Sequence, residues 1–243
     1  MRMLAFAKRC FKEILRDPLN IAFGLGFPVV LLLLLSAIQA NVPVDLFAIE
    51  RLAPGVAVFG LSFLALFSST LVAKDRESSF LQRLYATPMK PVDFILGYTL
   101  PILPLAVGQT VVCYLVAVAL GLSVSVNLLL ALLAILPVAL FYVALGVLCG
   151  SVLNVKQVGG VCGALLTNLS AWLSGVWFDL SLVGGWFEGA AKLLPFLHAV
   201  ELERNIVAGN FSAVLGNILP VAIYAVVAAI GATLLFLRQM KKN

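Results

Sequence analysis

Long apolar stretches alternate with short polar ones along almost the whole chain. Six of these stretches carry no charged side chain, and each is about as long as a helix that crosses the hydrocarbon core of a bilayer. They cover residues 19–38, 53–73, 94–120, 127–150, 158–178 and 213–237. The pattern predicts an all-α integral membrane protein with six transmembrane helices, in which Pro28 kinks the first.

Two polar segments of this pattern are predicted to lie at the membrane surfaces. Residues 1–17 place Leu4, Ala7, Phe11 and Ile14 at helical spacing, opposite mostly charged positions, which is typical of an amphipathic interfacial helix. A plain topogenic flank is the alternative. Residues 179–212 contain apolar pieces too short to cross, which indicates an extracellular re-entrant segment. Together with the spans, they form one transmembrane domain over residues 1–243.

The distribution of basic residues predicts the orientation of the chain. With six spans, thirteen of the sixteen Lys and Arg side chains fall on the side of both termini, and only Arg51, Lys192 and Arg204 fall on the other. By the positive-inside rule, both termini are cytoplasmic and the protein is multi-pass in the cytoplasmic membrane. The net charge of +5 therefore orients the protein, and no nucleic-acid partner is expected.

Composition and missing motifs limit the classes of function. The chain is 63 % hydrophobic, has a single histidine, and contains neither a G-x-x-x-x-G-K-[ST] nor an H-E-x-x-H motif. We therefore expect no enzyme and no bound cofactor or metal. The spans also lack the ionisable side chains that ion-driven carriers use, so an ion-coupled carrier or channel is disfavoured.

Some uncharged residues within the spans are candidates for helix contacts. Gln109 and Asn168 are costly to leave unpaired, so each is either an interhelical hydrogen-bond link or part of a translocation surface. Close helix packing within the subunit is expected at two glycine pairs, Gly146-x-x-x-Gly150 and Gly159-x-x-x-Gly163.

The most polar segment, KDRESSFLQRLYATPMKP over residues 74–91, follows the second span and is therefore cytoplasmic. Its apolar residues recur at spacings of three and four, which predicts a short helix with an apolar ridge. An apolar ridge in water favours a partner that offers a groove. A loop lying on the bilayer is the alternative. The ridge residues are Phe80, Leu81, Leu84 and Tyr85.

The sequence of this segment resembles the coupling region of type-2 ATP-binding-cassette permeases, through the pattern E-x-x-x-L-x-R-L-x-x-T-P. Further matching stretches occur in order along the chain, among them LRDPLNIAFGLGFPVVLLLLL, LAPGVAVF, SGVWFDL and LPFLHAVELER. The residues that carry the coupling pattern are Glu77, Leu81, Arg83, Leu84, Thr87 and Pro88.

The resemblance implies an exporter permease that forms the pathway with a second permease, either a copy or a sister chain. A separate ABC ATPase, which binds ATP and Mg²⁺, would dock on the coupling helix of residues 74–91, with the N-terminal helix as a second contact. Amphipathic drugs, antimicrobial peptides or lipid-like molecules suit the apolar spans as cargo. A membrane scaffold without transport is a further alternative.

The outer segment Leu194–Arg204 is the candidate extracellular gate. Within it, His198 is either a hydrogen-bonded structural residue or a pH sensor. Glu201 and Arg204 have the spacing of an ion pair on a helix. The candidate gate residues are Pro195, His198, Glu201 and Arg204.

Overall fold

A computed structural model describes the backbone of residues 2–87 and 89–242 and the side chains of residues 3–87 and 89–238. Every regular element in those residues is helical, which confirms the all-α prediction. The longer elements are α1 (Arg2–Arg16), α2 (Pro18–Ile21), a π-helical segment (Ala22–Gly26), α3 (Phe27–Gln39), α4 (Ile49–Glu77), α5 (Phe80–Tyr85), α6 (Pro91–Thr99), α7 (Leu103–Ala119), α8 (Val126–Val152), α9 (Val155–Val158), a second π-helical segment (Gly159–Leu166), α10 (Thr167–Leu173), α11 (Gly185–Leu193), α12 (Pro195–Val207) and α13 (Val214–Lys242).

Among the described residues, five helical stretches are long and apolar enough to cross a membrane. They are Pro18–Gln39, Ile49–Glu77, Pro91–Ala119, Val126–Val152 and Phe211–Arg238. The fifth predicted crossing corresponds to the continuous helical stretch from α9 to α10, which is not one of these five. This stretch contains Lys156, Gln157 and Asn168, which lower its apolar character. The fifth predicted crossing, over residues 158–178, therefore stays a prediction.

Helix α4 forms the centre of the fold, because 89 % of its most apolar stretch is buried inside the protein. Helix α8 packs tightly along it at Gly146 and Gly150. A Cβ atom at Gly150 would lie 2.5 Å from the carbonyl oxygen of Ser69, closer than such atoms approach. The first glycine pair thus provides the close packing that was expected. The second packs less closely, because a Cβ at Gly159 would meet nothing within 4 Å and one at Gly163 would make only ordinary contact with Leu66, at 3.5 Å.

Prolines mark the irregular places in two spans. Pro28 has no N–H to donate one turn back, and the π-helical segment Ala22–Gly26 lies immediately before it. The predicted third span is divided between α6 and α7 at residues 100–102, which contain Pro101, and Pro104 lies in the first turn of α7.

The helix predicted over residues 1–17 is present as α1, but its apolar side faces the protein. Phe6, Cys10 and Ile14 are buried, and the Phe6 ring packs edge-on against Tyr98 with 4.9 Å between ring centroids. Leu4, which was predicted to lie on the same side as Ile14, is 62 % exposed and lies away from the buried side. The periodicity of the sequence identifies an apolar side, whereas the tertiary contacts decide what covers it.

The segment 179–212 contains two short helices, α11 of nine residues and α12 of thirteen. Neither is long enough to cross a bilayer, as the sequence pattern predicts. Helix α12 packs against α4, α8 and α13 and buries Phe196 and Leu202. The segment is therefore an integral part of the helix bundle, and its extracellular location stays a prediction.

Candidate functional site

The predicted coupling helix is present as α5, directly after the charged end of α4. Helix α4 continues as far as Glu77, so the first residues of the 74–91 segment form its last turn. Ser79 then adopts a left-handed conformation (φ 59°), which turns the chain sharply into α5. After α5, the Thr87 hydroxyl donates to the Leu84 carbonyl at 2.6 Å and closes the helix end. Pro88 lies outside the described residues.

Asp75, in the last turn of α4, is the centre of a buried polar network. Its side chain is 2 % exposed and accepts hydrogen bonds from the Arg9 guanidinium of α1 and from the Tyr98 hydroxyl of α6, the latter at 2.9 Å. Arg9 also pairs with Glu13 and lies 4.5 Å from the ring centroid of Phe80 in α5. One carboxylate therefore joins α4 to α1 and α6, and through Arg9 to α5.

The next two residues of α4 hold both sides of the turn between α8 and α9. The Arg76 guanidinium donates to the carbonyls of Ser151, Val152 and Leu153 at the C-terminal end of α8, the last at 2.6 Å. The Glu77 carboxylate accepts from the N–H of Val155 at 2.9 Å, at the N-terminus of α9. Each charge matches the partial charge of the helix end that it binds.

The protein itself covers much of the apolar ridge of α5, and docking of this ridge in a partner's groove stays a prediction. Leu81 is 1 % exposed, and Leu84 packs against the same core. Phe80 is covered by Arg9 and Phe6, with 6.4 Å between the two phenylalanine centroids. Tyr85 packs edge-on against Phe94 of α6, with 5.4 Å between ring centroids.

The most exposed side chains of this surface are polar or small, and the part-buried Phe80, Leu84 and Tyr85 lie beside them. We call the set Glu77, Gln82, Arg83 and Ala86 the coupling face; all four are exposed. Of the residues that carry the sequence pattern, Glu77 and Arg83 can therefore meet another protein directly. Leu81 and Leu84 instead fasten α5 to the bundle.

Sequence reasoning missed four members of this site, Arg9, Asp75, Arg76 and Tyr98. One signal was available for Asp75, which follows Leu64, Ser68 and Leu71 at spacings of three and four and so continues the buried side of α4. Tyr98 lies 23 residues away from Asp75 in the sequence, so no local pattern indicates their contact.

The two polar span residues have different environments. Gln109 of α7 is 1 % exposed and donates to the Ala57 carbonyl of α4 at 3.0 Å, which makes it an interhelical link. Gly60 makes room for this contact, because a Cβ there would collide with the Gln109 amide. Asn168 is exposed and donates to the Ala164 carbonyl of its own helix at 2.9 Å, so it makes no such link.

The residues of the candidate outer gate hold α12 in place. Arg204 donates to the carbonyls of Arg51 (3.1 Å) and Gly175 (3.0 Å) and to Glu201 (3.0 Å), which confirms the predicted ion pair. His198 is hydrogen-bonded on both sides, at 3.0 Å from Asn217 Oδ1 and 2.9 Å from the Lys192 carbonyl, which supports a structural role. Pro195 is buried at the first position of α12.

A buried carboxylate on α12, Glu203, was not predicted. Its side chain is fully buried and accepts a hydrogen bond from the Tyr114 hydroxyl of α7 at 2.8 Å. Burial raises the pKa of Glu203 to about 8, against the smaller lowering effect of the Tyr114 hydrogen bond. A glutamate in a polar-looking stretch such as ELER gives no sign of burial in the sequence.

Comparison with known protein families agrees with this architecture. The family model described as ABC-2 type transporter matches residues 1–208. That range includes the charged end of α4, helix α5 and the whole of α12. No curated protein matches the chain in sequence. Because the family match extends over most of the 243 residues, this chain belongs to the ABC-2 type transporter family.

Proposed function

We propose that the protein is the permease subunit of an ATP-driven exporter in the cytoplasmic membrane, which works as a pair of permeases with a separate ABC ATPase. Membership of the ABC-2 family supports the coarser statement that the chain is the membrane component of an ABC transporter. Export direction, the partner arrangement and the cargo are the parts that we propose.

The observation that carries the proposal is the way in which the end of α4 is connected. Asp75, Arg76 and Glu77 bind α1, α6, the end of α8 and the start of α9, while α5 follows after a two-residue turn. A force on α5 therefore reaches the central helix and four of its neighbours through buried or helix-capping hydrogen bonds. Such rigid connections suit the transmission of ATP-driven closure to the spans.

The coupling face is the surface that we assign to the ATPase. Arg83 and Glu77 project from it as accessible opposite charges, and Leu81 anchors the helix beneath it. The ATPase would hold ATP and Mg²⁺ and supply the conformational energy. The permease would convert the movement of α5 into a rearrangement of α4 and its neighbours.

An aromatic surface on the first span and α4 supports an amphipathic cargo. Phe23 and Phe27 are 46 % and 37 % exposed, and both pack against Phe63, at centroid distances of 5.9 and 5.5 Å. The row continues through Phe59 to Trp177, with 5.3 Å between their centroids. Aromatic faces of this kind suit drugs, peptides or lipid-like molecules with an apolar body better than a sugar chain.

The test is a charge reversal on the coupling face. We expect Arg83→Glu to weaken binding of the purified ATPase by about tenfold, or about 1.4 kcal/mol, and to lower cargo-stimulated ATP hydrolysis in proteoliposomes. Lys192→Glu, a charge reversal at another exposed position, in α11, is the control and should change neither quantity. The proposal fails if no ATPase associates with the chain, or if transport follows an ion gradient and is indifferent to ATP.

A further inference from the structure

The outward side of α1 carries a second amphipathic pattern that the bundle does not cover. Leu4 and Leu15 are 62 % and 41 % exposed, and Lys8, Lys12 and Arg16 are exposed beside them. At 100° per residue these five positions lie within about 120° of each other on the helix. We call them the outer stripe of α1. The buried side, with Phe6, Cys10 and Ile14, lies opposite.

The position of α1 relative to the first span places this stripe at the membrane boundary. Only Asp17 separates the end of α1 from Pro18, where the first candidate span begins. Leu19, at the start of that span, is 64 % exposed as well. Because α1 is fixed to α4 through Arg9 and Asp75, the stripe cannot turn its leucines into the bundle. Leucines beside basic side chains at a membrane boundary match acyl chains and headgroups respectively.

The charges of the stripe favour an anionic ligand. Lys8, Lys12 and Arg16 follow one another at intervals of four, and the nearby acidic side chains are engaged elsewhere: Glu13 pairs with Arg9, and Asp17 accepts from the N–H of Leu19 at 3.1 Å. Lys8, Arg9, Lys12, Glu13 and Arg16 line an open hollow of about 480 Å³ together with Ala5. Four basic side chains and one carboxylate line this hollow, so its net charge favours a phosphate group.

We propose that the outer stripe of α1 is a binding site for anionic phospholipid, with the basic side chains on the phosphate and the leucines among the acyl chains. The bound lipid holds α1 against the bundle. Since Arg9 of the same helix binds Asp75, the lipid also stabilises the network at the end of α4. The site is independent of the proposed function, because it requires neither an ATPase nor a cargo.

The experiment measures binding of dioleoylphosphatidylglycerol to the detergent-solubilised full chain by native mass spectrometry, with dioleoylphosphatidylcholine as the neutral comparison. We expect the protein to prefer the anionic lipid. The triple variant K8Q/K12Q/R16Q should lose about a hundredfold in affinity for it, at about fivefold per basic residue near a membrane surface. High salt should weaken binding to the unaltered protein far more than to this variant.

Two further variants separate the parts of the site. K90Q/K156Q/R238Q removes the same charge from exposed positions elsewhere and should keep the preference for phosphatidylglycerol. L4S/L15S should weaken binding of both lipids equally, because it alters only the acyl-chain contact. All of the changed side chains are exposed, so the variants should fold. If a combined variant does not elute as a monodisperse protein, the corresponding single substitutions are measured in its place. Retained preference in K8Q/K12Q/R16Q overturns the proposal, and loss of ATPase binding in that variant alone would identify the stripe as a protein contact.

Discussion

Replacing Asp75 with alanine tests the network at the end of α4. The substitution removes the acceptor of two hydrogen bonds, one from Arg9 and one from Tyr98. The Tyr98 hydroxyl would be left without a partner in a side chain that is 0 % exposed. Arg9 is 36 % exposed and keeps Glu13, so water and that carboxylate replace much of what it loses.

The expected magnitude follows from these two environments. An orphaned buried hydroxyl costs about 1–3 kcal/mol. Breaking a fully buried ion pair costs about 3–5 kcal/mol, and the exposure of Arg9 reduces that contribution. We therefore expect Asp75→Ala to destabilise the protein by about 3 kcal/mol, which lowers the Tm by roughly 6–12 °C for a chain of this size.

The measurement is a thermal unfolding curve of the purified protein in detergent. Asp45→Ala, which also removes one carboxylate but from an exposed loop, is the control and should change stability by less than about 0.5 kcal/mol. Tyr98→Phe should cost about 1 kcal/mol, because Asp75 keeps its bond to Arg9. If Asp75→Ala unfolds at the same temperature as the control, the network does not hold the end of α4.

Two further predictions concern helix packing and pH. Gly146→Ala should destabilise the protein by about 1–3 kcal/mol, because the new Cβ would collide with the Ala65 backbone of α4. Gly159→Ala, whose Cβ meets nothing within 4 Å, should be neutral or stabilise by up to about 1 kcal/mol. Denaturation curves measure both changes. The folded protein keeps the Glu203 proton up to a pKa of about 8, and the unfolded chain releases it near 4.5. The free energy of unfolding should therefore fall as the pH rises from about 4.5 to about 8, by up to about 1.4 kcal/mol per pH unit. The Tm measured across this range should fall with it. Glu203→Gln should flatten that dependence, and an unchanged slope would contradict the burial of the carboxylate.

Much of the architecture follows from the sequence alone, because the bilayer imposes a simple rule. A helix that crosses it needs about 20 apolar residues, so the sequence predicts α4 and α8 as spans from their length and composition. The same rule excludes a crossing for α12. The spacing of the apolar residues in 74–91 likewise predicts the short helix α5, because a helical periodicity is a local property.

The sequence did not reveal which surface covers each apolar side or which charges are buried. The ridge of α5 and the apolar side of α1 face each other inside one subunit, although each alone suggested an outside partner or the bilayer. Glu203 looks like an ordinary surface carboxylate in the sequence, and the partners of Asp75 and Glu203, which are Tyr98 and Tyr114, come from other helices. The periodicity of the sequence shows which side of a helix is apolar and which is charged, because it depends only on residues that are neighbours in the chain. Burial and pairing depend on residues dozens of positions away, so only the packed helices decide them.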